Sequence, residues 1–363
     1  MNGTKNQIIK ISLIGPGSEC IGGVSTYIDH VRTYSKYKTV FIRLPSVCYK
    51  GIIYKCSLLL VSYFKFIWIL ITNHINLVHI NPSLTKNAVL RDSFFAFLSF
   101  LFSKKILIQW HGWNPDNEYL LSKYKNILRA SLWKASQINV LTPSLARKLR
   151  LAGYKNEIGY TKTFVDDKFI KKASNDIKCS IGTILFLSTI SKNKGIYEAI
   201  ETFRLIRIKY PDFRFIVAGD GPELDIVKNS LDPEIREKIT FTGYVTGIHK
   251  EQVFNESDLY LFPSHYEGMP ISLLEAMGYG LPVICSKVGA IPDFFEEEKM
   301  GFMVNGFDPV DYANRIEYLI SNKERVKSIS KYNSQYIREN HLASNHIIIL
   351  DKIYNSIAND KND

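Results

Sequence analysis

Residues 263–284 read PSHYEGMPISLLEAMGYGLPVI and follow directly on the apolar tetrapeptide LYLF at 259–262. The tetrapeptide has the composition of a buried strand. Glu267 and Gly268 then make a turn, a helix opens near Ile271, and Glu275 falls in its second turn. A further apolar run, 282–285, returns as the next strand. Strand, turn and helix in this order put Glu267 at the carboxyl end of a strand, where open α/β sheets take their ligands. The amides of Gly268, Met269, Ile271 and Ser272 open the helix and favour an anion such as a diphosphate. Glu275, an acceptor with two oxygens, suits a pair of vicinal hydroxyls such as those of a ribose. A bare pair of glutamates eight positions apart is ordinarily two solvated side chains. The surrounding strand, glycine turn and apolar helix give this pair its meaning.

Outward from this stretch the same alternation fills the chain. Apolar runs at 8–14, 39–43, 77–80, 105–109 and 137–141 read as strands, separated by helical patterns near 54–72, 86–102 and 119–133. A polar stretch at 161–180 interrupts the pattern and marks a domain boundary. Beyond it strands at 183–188, 214–218, 239–241, 259–262, 282–285 and 302–304 alternate with helices, and the chain is helical from Val310. Such alternation predicts an α/β chain with parallel sheets. The expected organisation is two Rossmann-like domains, 1–170 and 171–345, with a helical tail at 346–363 and an active site in the cleft between the domains.

The stretch 263–284 resembles the E-x7-E motif of glycosyltransferase family 4, retaining enzymes of the GT-B fold that use nucleotide-sugar donors. That resemblance implies two Rossmann-like domains facing each other across a cleft. It places Glu267 at the donor sugar and Glu275 on the nucleotide ribose. LFLSTISKNKGIYEAIETF, from Leu185, is similar to the family's strand–loop–helix in which a lysine before glycine contacts the donor diphosphate; here that residue is Lys194. Many members carry an arginine five residues earlier, where this chain has Thr189, so the site is expected to have one cation fewer or to borrow one elsewhere. FIVAGDGPE (215–223) resembles a loop near the nucleotide, with Asp220 either at the donor or shaping the turn, and FTGYV (241–245) a loop beside the base. In the first domain GPGSECIGGVSTYI resembles the family's glycine-rich loop, with Gly22 and Gly23 suited to close backbone approach. QWHGW resembles its strand-end histidine at the donor sugar, here His111, followed by Gly112.

Other chemistries fit less well. Counted from Gly15, a G-x-G-x-x-G fingerprint would need glycine where Cys20 stands, and the second strand ends in Arg43 and no acid, which argues against a nicotinamide dehydrogenase. The sequence has no D-x-D signature, so no metal and no cofactor are expected. The UDP- or GDP-linked sugar is a substrate, and lysine, amides and helix dipole would meet the leaving-group charge. Cysteines at 20, 48, 56, 179 and 285 show neither metal-ligand spacing nor a disulfide framework, which suits a reducing cytoplasm.

The chain of 363 residues carries a net charge of +11, but residues 1–170 hold 23 Lys and Arg against 8 Asp and Glu, and residues 171–363 hold 23 against 27. The positive field therefore belongs to the first domain. That domain also contains SLLLVSYFKFIWILI (57–71) and FFAFLSFLF (94–102), which read either as helices buried on the sheet or as an amphipathic element on an anionic bilayer. About 15 residues interrupted by Lys65 fall short of a membrane span, and the apolar run near the N-terminus is too short for a signal peptide. No nucleic-acid motif accompanies the charge.

The function expected from sequence is thus a retaining hexosyltransferase acting on a glycan or polyprenyl-diphosphate-linked acceptor. It would serve bacterial surface polysaccharide synthesis (capsule, O-antigen lipopolysaccharide or exopolysaccharide) from the inner face of the plasma membrane. A nucleotide-sugar epimerase of the same fold and a non-catalytic partner of another glycosyltransferase are the alternatives. Glu275→Ala is expected chiefly to weaken nucleotide binding.

Overall fold

Strands whose residues are apolar at nearly every position are buried on both faces, and this chain builds two sheets of that kind. The computed structural model describes residues 9–17, 22–45, 51–111, 115–173 and 177–360. It divides into two compact units, 1–163 with 343–363 and 164–342.

In the first unit β1 (Lys10–Pro16), β2 (Lys38–Leu44), β3 (Leu77–Ile80), β4 (Lys105–Gln109), β5 (Gln137–Val140) and β6 (Glu157–Tyr160) form a parallel sheet in the order β2-β1-β3-β4-β5-β6. The crossovers include helices α1 (Gly23–Tyr34), α2 (Ile52–Thr72) and α3 (Lys86–Leu101). Thr85 caps α3 by accepting a hydrogen bond from the Ala88 amide. The strand order turns back on itself between β1 and β3, so that pair is the topological switch point of this sheet.

The second unit holds β7 (Thr183–Leu187), β8 (Arg214–Ala218), β9 (Ile239–Gly243), β10 (Leu259–Phe262), β11 (Val283–Ser286) and β12 (Gly301–Val304), ordered β12-β11-β10-β7-β8-β9 and parallel throughout. Its core includes Ile184, Phe186, Phe203, Phe215, Leu261 and Ile284, all fully buried. Here the order reverses between β7 and β10, which are paired through Leu259↔Ile184 and Tyr260↔Leu185. The expected pair of Rossmann-like α/β domains is present, each a six-stranded parallel sheet.

Three expectations need correction. The units separate at 163/164, not at 170/171, because Phe164 and Val165 are already buried and Val165 donates to the His341 carbonyl within the second unit. The closing helix, Ala343–Asn359, is no separate tail: it packs with the first unit. Its apolar stripe Ile347, Leu350, Tyr354 and Ile357 is buried, Tyr354 Oη lies 2.6 Å from His79 Nδ1 on β3, and Asp351 accepts from Ser35 Oγ at 2.6 Å and from the Lys36 amide at 3.0 Å. The helical pattern at 119–133 is broken into Tyr119–Lys123, Lys125–Ala130 and a 3-10 turn Leu132–Lys134, with Tyr124 and Ser131 in non-helical conformations between them.

The 57–71 stretch is also longer as a helix than its apolar run suggests. α2 spans 21 residues, and it is long and apolar enough by length and composition to cross a membrane, with 17% of its most apolar 18-residue window buried. Among the cysteines, Cys56 and Cys179 are exposed free thiols and Cys285 a buried one, while Cys20 and Cys48 lie outside the described residues.

Candidate active site

In the second unit the loops at the carboxyl ends of β7, β8, β10 and β11 are drawn together, and glycines permit it. Gly195 (φ +77°) ends the β7 loop, and a Cβ there would fall 2.0 Å from the Pro263 carbonyl oxygen. Gly289 (φ +59°), after β11, lies against Glu267, whose carbonyl oxygen a Cβ would meet at 1.7 Å. Hydrogen bonds stitch the same loops. Ser264 Oγ and the His265 amide both donate to the Asn193 carbonyl, at 3.2 and 2.9 Å, and the Ile190 amide donates to the Asp220 carbonyl at 2.9 Å. The switch-point strands β7 and β10 thus deliver their loops side by side.

The consequence is a direct pairing. Glu267 is 7% exposed, and a carboxylate so buried requires a partner. Lys194 Nζ supplies it, 2.6 Å from Glu267 Oε1. Sequence analysis placed these two residues at the donor sugar and diphosphate separately; the structure brings them into one ion pair. Glu275, 5% exposed on helix Ile271–Gly278, is held likewise, with Lys250 Nζ 2.6 Å from both carboxylate oxygens. Lys250 comes from helix Gly247–Asn255, and its ammonium also sits 5.0 Å above the Phe169 ring. Sequence reasoning missed Lys250, because the spacing of 25 residues to Glu275 belongs to no local motif.

Thr189 is exposed. Where the family pattern has an arginine, this chain therefore offers a short neutral side chain, and Lys250 is a second ammonium among the described residues of this cluster. The helix bearing Glu275 begins without a side-chain cap, after Pro270. Gly268, Ile271 and Ser272 are partly exposed beside it and Met269 is buried. Ser272 Oγ lies 2.8 Å from Tyr260 Oη, which donates to the Leu187 carbonyl at 2.9 Å; burial holds that phenol well above its ordinary pKa, so it stays a neutral donor. Asp220 is exposed and accepts from the Gly221 amide at 2.7 Å within its turn.

The first unit has its own cluster beside the β1/β3 switch point. His111, after β4, lies 2.8 Å through Nε2 from Asn81 Oδ1, and Asn81 Nδ2 donates to the Ile14 carbonyl at 3.1 Å. With Asn81 oriented by that second bond, His111 donates from Nε2. The Tyr27 ring from α1 stands edge-on to the imidazole, centroids 4.5 Å apart. Burial pushes the His111 pKa down to about 3, so the imidazole is a neutral hydrogen-bonding group and not a cation at neutral pH. Asn81 and Tyr27 were not legible as site residues; they mark the end of β3 and one face of α1. Gly22 precedes α1 in extended backbone (φ 163°), and a Cβ there would meet nothing within 4 Å. Gly23 is exposed at the first position of the helix. Within the protein's own packing the position of Gly22 does not require glycine. Gly112 and residues 18–21 lie outside the described residues.

Among the described residues no three His, Cys, Asp or Glu side chains come together to hold a metal ion.

The profile of the family described as "Glycosyl transferases group 1" matches residues 167–336. The N-acetyl-alpha-D-glucosaminyl L-malate synthase of Bacillus anthracis is 23% identical over 247 residues, 65% of this chain and 63% of that protein. WcaL of Escherichia coli (strain K12), named for a glycosyltransferase role in colanic acid biosynthesis, is 26% identical over 225 residues, 58% of this chain and 54% of that protein. The match thus spans less than two thirds of either relative's length. The crystal structure of Anabaena HepE in complex with UDP and glucose superposes with a TM-score of 0.73 over 96% of this chain and 100% of that one, at 17% identity. It shares the fold.

Proposed function

We propose that this chain, whose residues 167–336 match the profile of the glycosyl transferases group 1 family, transfers a sugar from a nucleotide-sugar donor to a hydroxyl of a glycan or polyprenyl-diphosphate-linked acceptor in bacterial surface polysaccharide synthesis. The observation that carries the reading is the Lys194–Glu267 pair, set at the switch point of the second sheet with the Glu275–Lys250 pair on the adjoining helix. The colanic acid assignment of WcaL and the UDP and glucose bound to HepE support the acceptor and donor classes respectively.

In this reading Glu275 accepts from the ribose hydroxyls, with Lys250 holding the carboxylate in place. Lys194 exchanges part of its contact with Glu267 for the donor diphosphate, and the uncapped amides at the start of helix Ile271–Gly278 face the same charge. No metal or separate cofactor is called for. Glu267, freed in part from its lysine, accepts from hydroxyls of the donor sugar. The bond from the anomeric carbon to the diphosphate oxygen breaks as the acceptor oxygen bonds to that carbon from the same face. The acceptor proton passes to the departing phosphate, and the anomeric configuration is retained. His111, neutral and held by Asn81, is a hydrogen-bonding group of the first unit.

Calorimetric titration with UDP and with GDP tests the donor site. One of the two is expected to bind saturably, and Glu275→Ala is expected to weaken it by about tenfold, the loss of one or two hydrogen bonds to a charged acceptor. Binding of neither nucleotide at millimolar concentration, or unchanged affinity in the variant, would remove the proposal.

A further inference from the structure

The two long apolar helices of the first unit face outward in an unusual way. Surface helices normally turn polar residues to solvent and bury a stripe of apolar ones. In α2 the buried residues are Ser62, Phe66, Ile69 and Leu70, and the opposite side carries Leu60, Val61, Phe64, Trp68 and Ile71, each more than half exposed. In α3 the exposed positions after the first turn are Leu90, Phe94, Phe97, Phe100 and Leu101, none of them polar. Tyr63 joins the two stripes, its ring 4.6 Å from that of Phe94. The result is one apolar plane made by two adjacent helices, far beyond the scattered exposed side chains common on proteins.

The charge around this plane is one-sided. Residues 51–111 contain six Lys and Arg and a single acid, Asp92. That acid is fully buried and bound in a two-point pair with Arg91, so no carboxylate of this segment faces solvent. Lys65 lies exposed on α2, Lys86 opens α3, and Lys134 reaches its ammonium to 5.1 Å above the Phe100 ring.

We propose that the α2/α3 face docks on a bilayer containing anionic lipids. The apolar plane would enter the acyl boundary and the lysines around it would reach the headgroups. α2 lies in the plane of the interface and does not span it. One face of the helix is buried through Phe66, Ile69 and Leu70, the Phe66 ring lies 5.2 Å from that of Phe95 on α3, and Ser62 Oγ lies 2.9 Å from the Arg43 carbonyl on β2. A second copy of the chain is the competing occupant. It would set lysine against lysine with no acid to offset them, which the charge pattern disfavours. The docking does not depend on the transfer reaction, but it would station the first unit at the cytoplasmic leaflet, where lipid-diphosphate acceptors reside.

Trp68, 61% exposed in the stripe, reports directly on this contact. The intact protein is mixed with vesicles of phosphatidylcholine, with and without phosphatidylglycerol, at low and high salt, and binding is read by co-sedimentation and tryptophan emission. Binding is expected to the anionic vesicles, with a blue-shifted emission absent from Trp68→Phe and an affinity falling with salt. Phe64→Glu and Phe97→Glu, at exposed positions, are expected to lose about tenfold or more in vesicle affinity while unfolding at the same temperature as the parent. The inference is overturned if anionic vesicles do not sediment the protein at low salt, or if they do so without a Trp68 shift. It is equally overturned if lipid-free protein forms a dimer that shields Trp68 and that Phe64→Glu dissociates.

Discussion

Replacing Glu267 by alanine is expected to reduce sugar transfer by about a hundred- to a thousandfold, the usual consequence of removing an electrostatic group from a reacting centre. Folding should survive. The carboxylate is buried, but its partner Lys194 keeps 29% of its side chain exposed, so the lone ammonium remains hydrated once the pair is broken. The stability cost is then about 1 kcal/mol, a shift of a few degrees in Tm for a unit of this size. Rate and melting temperature measured on the same preparation separate the two effects. Transfer at the parental rate by a folded Glu267→Ala protein would remove Glu267 from the reaction.

Gly289→Ala is expected to be nearly as damaging, for a different reason. The residue has φ +59°, where an L-residue pays about 1 kcal/mol, and its Cβ would be 1.7 Å from the Glu267 carbonyl oxygen and 2.7 Å from the carbonyl carbon. Both atoms are backbone, so no side chain can swing aside, and the β10 loop has to move. That displacement carries Glu267 away from Lys194. Transfer should fall about a hundredfold, the scale associated with a misplacement of about 1 Å, and the protein should melt earlier. Gly306→Ala is the matched control: its φ is +93°, yet a Cβ there meets nothing within 4 Å. It should lose stability alone and keep its turnover. Equal activities for the two variants would mean that close packing of Gly289 on Glu267 does not position the carboxylate.

Much of this architecture could be read in advance, and the reasons differ by element. Strands β3, β4, β8 and β10 fall on the expected residues because a strand buried on both faces is a short continuous apolar run. The strand–turn–helix around Glu267 and Glu275 was legible because the turn glycines and both carboxylates lie within a single stretch. Lys250 was not, since its partner is 25 residues away and only the docking of helix Gly247–Asn255 joins them. The stripe Ile347, Leu350, Tyr354 and Ile357 announces a helix but cannot say which unit it covers. Hydrogen bonds through His79 and Asp351 decide that. The apolar runs in α2 and α3 read first as buried helices with membrane contact as the alternative, because periodicity reports a helix and not which of its faces meets the protein.

The basic excess of the first 170 residues acquires a location from the same elements. On the segment that builds α2 and α3 it surrounds an apolar plane, while the second unit, with more acids than bases, concentrates two lysines on two buried glutamates. On the proposed reading, charge on the first unit bears on where the protein sits, and charge on the second bears on what it binds.

The most direct test of the central claim follows the donor's sugar. The protein is incubated with labelled UDP- and GDP-sugars, with and without a polyprenyl-diphosphate glycolipid extract, and the nucleotide and sugar products are separated. The account predicts that nucleoside diphosphate is released in step with acceptor, that the label enters the lipid fraction, and that the new linkage keeps the anomeric configuration of the donor. A free epimerised sugar formed from donor alone, or an inverted linkage, would contradict it.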